Sequence, residues 1–244
     1  MATSAITVLP GSETLQPHAE NSIPYYTFHR FSEFLELEHL VLTRLGGVSS
    51  PPFASLNVSY DTGDEAGKVR ENVRRVRAAT DCSSLIYARQ SHSSNIVVLR
   101  EHPRLDPAIP YPLQRKDGFI TQLSGLLMMI KVADCQAILL YDPEKKVVAI
   151  IHAGWRGSAK NIAGTAVHLM QAHFSCDPQD IFAGIGPSLG PCCGEFRNWR
   201  QELPPRFSRF QVQKNHFDFW AISQYQLMEA GLLLSLIHIS EPTR

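Results

Sequence analysis

Short apolar runs separated by polar breaks mark the middle of the chain. Such runs, when they are rich in β-branched residues, predict buried strands. They lie at residues 84–90, 95–99, 119–121, 126–141, 147–151 and 181–185. A polar stretch at 133–135 interrupts the run at 126–141, so this run predicts two strands rather than one.

Other segments show helical spacing of their apolar residues. Val69, Val73 and Val76 recur at spacings of four and three within residues 68–79, and the arginines between them predict a solvated face. Residues 159–173 and 219–229 show similar patterns, and Ser158 is a candidate N-cap for the first of these.

Strands outnumber helices, and several strands follow one another directly. This order is not a regular βαβα alternation, so the sequence predicts an α+β fold with a mixed sheet. Residues 1–24 are rich in Ser, Thr and Pro and predict a loose leader. We expect residues 25–233 to form one catalytic domain.

The last residues, 234–244, follow a predicted helix end without turn residues and read LSLIHISEPTR. These letters match the translation of a common transposon-based sequencing adapter. We therefore expect residues 234–244 to be adapter-derived, and the natural C-terminal segment to be missing. The alternative is a genuine short apolar strand.

Composition and charge narrow the class of protein. The chain has 244 residues with 23 basic and 23 acidic side chains, so a nucleic-acid partner is not indicated. No apolar run is long enough to span a bilayer, and residues 1–21 lack the basic start and apolar run expected of a secretory signal. The five cysteines form no paired framework, which favours a reducing, cytoplasmic location with thiols available as metal ligands.

Three residues at the ends or breaks of predicted strands are candidate metal ligands: His92, Cys135 and His152. Side chains at such places can converge on one pocket. Two imidazoles and a thiolate suit zinc, and three protein ligands leave a position open for catalysis. Because their spacing matches no short zinc motif, a buried core cysteine with two satisfied histidines is the alternative.

Other polar residues are candidates for binding substrate. Arg156, in the turn before the helix predicted at 159–173, and Arg44 are candidate phosphate contacts. Asn57 and Asp117 are candidate ribose or base contacts, with Asp117 also a candidate catalytic residue, and Glu195 could face a site. Adjacent Cys192 and Cys193 cannot both face one pocket from an extended strand, so we expect them to shape a loop.

Six motifs in this order give the chain a family resemblance. TRLGGVSSPPFASLN, ARQSHSSNIVVL, KDGFIT, VADCQAILLYD, IHAGWRGSAKNIAGTAV and GIGPSLGPCCGEF together resemble the YfiH / laccase-domain family of purine nucleoside phosphorylases over about residues 38–231. The resemblance implies zinc binding by His92, Cys135 and His152, and a fold of mixed β-sheets sandwiched between helix layers. Gly194 departs from the family, where an aromatic residue commonly follows the cysteine pair.

The implied activity is phosphorolysis of adenosine, inosine and methylthioadenosine to base and sugar 1-phosphate, with deamination of adenosine. Cys135 could instead be a nucleophile, although a tight zinc ligand is a poor free nucleophile. A hydrolase that edits peptidoglycan precursors is the alternative function. A polyphenol oxidase (laccase) is disfavoured because no two histidines are two residues apart. The oligomeric state stays open, with a homo-oligomer as one candidate.

Overall fold

The computed structural model describes residues 15–82, 84–104 and 113–240, in which strands and helices alternate irregularly. The strands are β1 (Leu15–Glu20), β2 (Ile23–Phe28), β3 (Val41–Leu42), β4 (Ser84–Arg89), β5 (Ile96–Leu99), β6 (Leu113–Gln114), β7 (Gly118–Thr121), β8 (Leu126–Met129), β9 (Gln136–Asp142), β10 (Val147–Ala153), β11 (Phe182–Ile185), β12 (Gln211–Gln213), β13 (His216–Phe217) and β14 (Ile237–Ile239). The α-helices are α1 (Ala66–Ala78), α2 (Trp155–Ala159), α3 (Ile162–Phe174), α4 (Trp199–Glu202) and α5 (Phe219–Glu229). Short 3-10 turns lie at His29–Glu33, Pro178–Asp180, Pro205–Phe210 and Leu234–Leu236.

A mixed sheet of six strands, in the order β14-β11-β9-β10-β7-β5, forms the centre of the fold. β9, β10 and β7 are antiparallel neighbours, whereas β5 and β14 join the edges as parallel strands. Helices α3 and α5 cover one face, where Ile162, Val167 and Leu227 pack on the buried side chains of the strands. This packing explains why the apolar residues of α3 lie on one side.

A second sheet, β6-β4-β8, covers the opposite face, and β4 shows how its sequence specifies two layers. Ile86 and Ala88 point toward Phe119 of the large sheet. Leu85 and Tyr87, on the other side of the strand, pack against Val76 of α1 and its neighbours. Alternate side chains of a strand face opposite ways, so a strand buried on both faces reads as a continuous apolar run.

The layers are therefore α3 with α5, the large sheet, the smaller sheet, and α1. The predicted α+β fold, with mixed sheets between helix layers, is confirmed. Most predicted elements are also found, including α1, β4, β9, β10 and α5. No helix among residues 15–82, 84–104 and 113–240 is long and apolar enough to cross a membrane.

The helix predicted at 159–173 differs from the structure. Ser158 lies buried inside α2 and caps nothing, whereas α3 begins after Asn161. Asn161 adopts a left-handed φ of 59°, and its side chain accepts a hydrogen bond from the Gly164 amide at 3.2 Å. Asn tolerates this conformation and is a strong N-cap, so it ends α2 and starts α3.

Both chain ends contain more structure than the sequence analysis expected. Within the predicted leader of residues 1–24, the stretch from 15 onward forms β1 and the start of β2, because Ile23 is buried in the core under α1; residues 1–14 lie outside the described part. Near the other end, β14 pairs in parallel with β11, and Ile237 is buried. The adapter origin of residues 234–244 stays a prediction.

A buried amide ties α1 to the loop that follows β3. Asn72 is fully buried, and its Oδ1 accepts a hydrogen bond from the Val48 amide at 2.8 Å. Its Nδ2 donates to Ser49 Oγ at 2.9 Å, Ser55 O at 3.1 Å and Asn57 O at 2.8 Å. One side chain thus fixes the path of a loop that has no strand or helix of its own.

Asn72→Ala should lower the free energy of unfolding by about 2–4 kcal/mol, because it leaves several buried polar groups without partners. Urea denaturation followed by circular dichroism measures this change. The control is Arg70→Ala on the exposed side of the same helix, which should change stability by less than about 0.5 kcal/mol. Equal effects of the two substitutions would contradict the role assigned to Asn72.

Candidate metal centre

The three predicted ligands come from separate segments that meet at one end of the large sheet. His152 lies in β10, opposite Ala137 of β9, and Cys135 stands immediately before β9. His92 lies in the loop between β4 and β5. Because β9 and β10 are antiparallel neighbours, the start of one adjoins the end of the other, and the loop supplies the third ligand.

The ligand atoms of His92, Cys135 and His152 all lie within 4.8 Å of one another. The Cys135 Sγ is 4.0 Å from His92 Nδ1. The two imidazole rings meet edge to face, with centroids 4.7 Å apart and planes inclined by 75°. One thiolate and two imidazoles around a common point form a donor set that suits a transition metal such as zinc.

Gly154 leaves the space between the ligands clear. A Cβ atom at this position would lie 2.9 Å from His92 Nδ1 and 3.1 Å from Cys135 Sγ. The residue adopts an ordinary extended conformation with φ of −74°, so its backbone does not require glycine. The need for glycine comes instead from the room beside the ligand atoms, which supports the fit of an ion there.

Asp117 holds two of the candidate ligands in position through hydrogen bonds. Its Oδ1 lies 2.9 Å from His152 Nδ1, which directs the other ring nitrogen, Nε2, toward the cluster. Its carboxylate also accepts hydrogen bonds from the amides of Ser91, His92 and Ser93 and from the hydroxyls of both serines. A carboxylate that fixes the tautomer and orientation of a histidine ligand is a recurrent feature of metal sites.

These hydrogen bonds set the charge of the buried pair. Burial opposes ionisation of Asp117, but hydrogen bonds from His152 and Ser93 outweigh it and hold the pKa of the carboxyl well below its usual range. Burial likewise acts to lower the pKa of His152, but the contacts with Asp117 and Cys135 raise that pKa to about 9. A metal at Nε2 must therefore displace a proton that the carboxylate stabilises.

The backbone of His92 is left-handed, with φ of 54°, which is uncommon for a residue other than glycine. The amides of residues 91–93 converge on Asp117 and hold this conformation. Strain of this kind persists only where the surroundings over-determine it, and it concentrates at functional sites. The sequence SHSS thus encodes both a ligand and the donors that position it.

A cavity of about 830 Å³ adjoins the cluster and extends between the two sheets. Apolar side chains such as Leu127, Met129 and Ile150 form much of its wall. Burial lowers the pKa of Lys131, on the same wall, to about 8. The Gln90 side chain fixes the backbone of this lysine through two hydrogen bonds of 2.8 Å. An apolar cavity with a few polar groups, here beside three potential metal ligands, is the common form of a small-molecule site.

The structure brings only some of the predicted substrate residues to this cavity. Arg44 and Asn57 line it. The Asn57 amide is engaged within its own loop, where it donates to Thr62 at 2.9 Å and Asp64 at 3.0 Å. Asp117 is fully buried beside His152 and does not line the cavity, and its role as a ribose or base contact stays a prediction.

Arg156 and Glu195 do not line the cavity. The Arg156 guanidinium stacks on the Trp155 ring at 4.1 Å and faces a separate shallow cleft. α2 has only five residues and provides no helix N-terminus of the kind expected near Ser158. Glu195 is exposed and pairs with Arg197 at 3.0 Å, which lowers the pKa of its carboxyl.

The sequence did not indicate that Gly154 leaves room beside the ligand atoms or that the serines around His92 donate to Asp117. It also did not indicate that Lys131, fixed by Gln90, lies on the cavity wall. The SHSS motif offered the only usable signal, because serines that flank a candidate ligand are good local hydrogen-bond donors. The close approach at Gly154 and the cavity between the sheets depend on contacts between segments far apart in the chain.

Comparison with known proteins identifies the family of this chain. The family model described as multi-copper polyphenol oxidoreductase laccase matches residues 38–242, so the chain belongs to this family. A relative from Geobacillus stearothermophilus, named purine nucleoside phosphorylase YlmD, is 32% identical over 82% of this chain and 77% of its own length. Purine nucleoside phosphorylase YfiH from Escherichia coli is 31% identical over 78% and 75% of the two chains.

Solved structures show the same fold. YlmD from Geobacillus stearothermophilus superposes with a TM-score of 0.82 at 29% identity, covering 94% of this chain and 88% of that one. The hypothetical protein YfiH from Bacillus licheniformis superposes with a TM-score of 0.80 at 26% identity, covering 92% and 87%. The resemblance read from the motifs is confirmed.

Gly154→Ala should lower zinc affinity at least about tenfold, because its methyl group would enter the space between His92 and Cys135. Competition with a zinc chelator measures the affinity. The control is Gly67→Ala, since a Cβ at Gly67 meets nothing within 4 Å. Unchanged affinity in Gly154→Ala would show that no ion occupies that space.

Asp117→Asn should weaken zinc binding by about 10- to 100-fold, because the amide is a poorer partner for His152 and cannot accept all the donors that Asp117 accepts. The same chelator competition, with melting temperature as a check on folding, measures the effect. Asp81→Asn, at an exposed carboxylate after α1, is the control. A folded Asp117→Asn protein that binds zinc as tightly as wild type would contradict the positioning role.

Proposed function

We propose that this protein is a zinc-dependent purine nucleoside phosphorylase acting on adenosine, inosine and methylthioadenosine, with a second activity as an adenosine deaminase. The observation that carries the proposal is the His92, Cys135 and His152 cluster at one end of a largely apolar cavity. Relatives named purine nucleoside phosphorylase support the same substrate class. Thiols stay reduced most readily in the cytosol, so a cysteine ligand favours the cytoplasm as the location.

The reaction exchanges the bond between C1′ of the ribose and the purine nitrogen for a bond from C1′ to a phosphate oxygen. The departing purine gains electron density and takes up a proton, while the ribose acquires oxocarbenium character, as in glycoside cleavage. The apolar walls of the cavity accommodate the base and exclude water. Exclusion of water matters because water competes with phosphate for C1′.

Residues of this chain supply ligands, orientation and charge. His92, Cys135 and His152 would hold the zinc, which supplies Lewis acidity and an acidified water when bound. Asp117 keeps His152 oriented, and Arg44 at the cavity wall is the candidate contact for phosphate. Deamination would use the same cavity, with water replacing the 6-amino group and ammonia leaving.

The decisive assay measures phosphate-dependent release of base from inosine and adenosine by liquid chromatography on zinc-loaded protein. Wild type should form base and ribose 1-phosphate, and His152→Ala should lose at least about 100-fold in rate because it removes a ligand. His168→Ala, on the exposed side of α3, is the matched control and should stay active. Conversion of adenosine to inosine without phosphate reports the deaminase.

A rate of base release that does not depend on phosphate, or full activity in His152→Ala, would contradict the proposal. Absence of turnover with every nucleoside would also refute it. A peptidoglycan-precursor editing hydrolase would then be tested through cleavage of a UDP-sugar amino acid.

A further inference from the structure

Cys192 and Cys193 lie in a tight turn rather than in a strand. The amides of Cys193 and Gly194 both donate to the Gly190 carbonyl, at 3.0 and 3.1 Å. The expectation that adjacent side chains face opposite ways holds only for an extended chain. In this turn the two side chains come to the same side.

The two sulfur atoms are 3.2 Å apart. Both residues are exposed, and neither is in a disulfide. The pair therefore presents two thiols to solvent from neighbouring positions. Neither residue belongs to the candidate metal centre.

The turn is fixed by its surroundings. A Cβ at Gly194 would lie 2.8 Å from the Phe217 carbonyl oxygen, and one at Gly190 would lie 3.1 Å from the Trp220 ring. The Glu195 amide donates to the Cys193 carbonyl at 2.9 Å. These contacts hold the backbone that sets the separation of the sulfurs, so a ligand that needs both would meet a largely preformed pair.

The chemistry of the pair selects its ligand. Thiolates prefer soft ions over hard ones such as magnesium or calcium. In the described part of the chain, the one group of three or more potential His, Cys, Asp or Glu ligands is that of His92, Cys135 and His152. Cys192 and Cys193 lie outside this group, and with their sulfur atoms 3.2 Å apart they can bind one ligand through two sulfurs. Two bonds of ~2.3 Å to a tetrahedral ion place sulfurs about 3.8 Å apart, a small adjustment from the observed separation.

We propose that Cys192 and Cys193 form a dithiol site that binds a soft, thiophilic ion or a trivalent metalloid through both sulfurs. With a trivalent arsenic oxide, two arsenic–sulfur bonds form, and the oxygen leaves as water with the two thiol protons. No atom changes its oxidation state in this exchange. The site is independent of the proposed phosphorylase activity.

Phenylarsine oxide is the probe, because tight binding requires two thiols on one molecule. Native mass spectrometry of the reduced, zinc-loaded full chain should show one adduct that survives excess monothiol and is removed by a small dithiol. Cys192→Ser and Cys193→Ser should each weaken binding at least about 100-fold, since the second bond is no longer intramolecular. Cys82→Ser removes a thiol elsewhere in the chain and should bind like wild type.

Unchanged binding in either Cys192→Ser or Cys193→Ser would overturn the proposal, as would a wild-type adduct that monothiol removes. Melting temperatures of the variants test whether a loss of binding reflects loss of folding. A loss accompanied by a wild-type melting temperature supports the site, and Cys193→Ala provides a second variant if serine disturbs the turn.

Discussion

The Asp117 carboxylate is the contact on which the candidate centre depends. It is fully buried, and its Oδ1 lies 2.9 Å from His152 Nδ1. It also accepts hydrogen bonds from the backbone amides of residues 91–93. A buried charge is costly unless its partners surround it, and here those partners are a ligand and the loop that carries another ligand. One carboxylate therefore couples the end of β10 to the β4–β5 loop.

The layered fold supplies the rest of the arrangement. β9 and β10 place Cys135 and His152 side by side, and β7 places Asp117 behind them, because β7 pairs with the other edge of β10. The smaller sheet covers the opposite face and leaves a cavity that reaches the cluster. A rigid sheet is a suitable support for a metal centre, since ligands must be held within a fraction of an ångström.

The strands and the three candidate ligands could be predicted where a local sequence pattern marks them. Strand ends identified His152, a polar break identified Cys135, and runs of apolar residues identified most strands. Prediction failed where distant contacts decide the outcome. The sequence predicts that Asp117 lies in a loop, but tertiary packing buries it. It also predicts Ser158 as a helix N-cap, but Asn161 adopts the left-handed conformation and caps α3 instead. The cysteine pair was expected to shape a loop, but the sequence did not indicate that the turn at Gly190 brings both sulfur atoms to one side.

X-ray absorption at the zinc edge of the loaded protein tests the central claim most directly, because it reports the atoms bound to the metal. The account predicts one sulfur at about 2.3 Å, two imidazole nitrogens at about 2.0 Å and one further light atom. A first shell without sulfur, or one made of several sulfurs, would contradict the assignment of His92, Cys135 and His152 as the ligands.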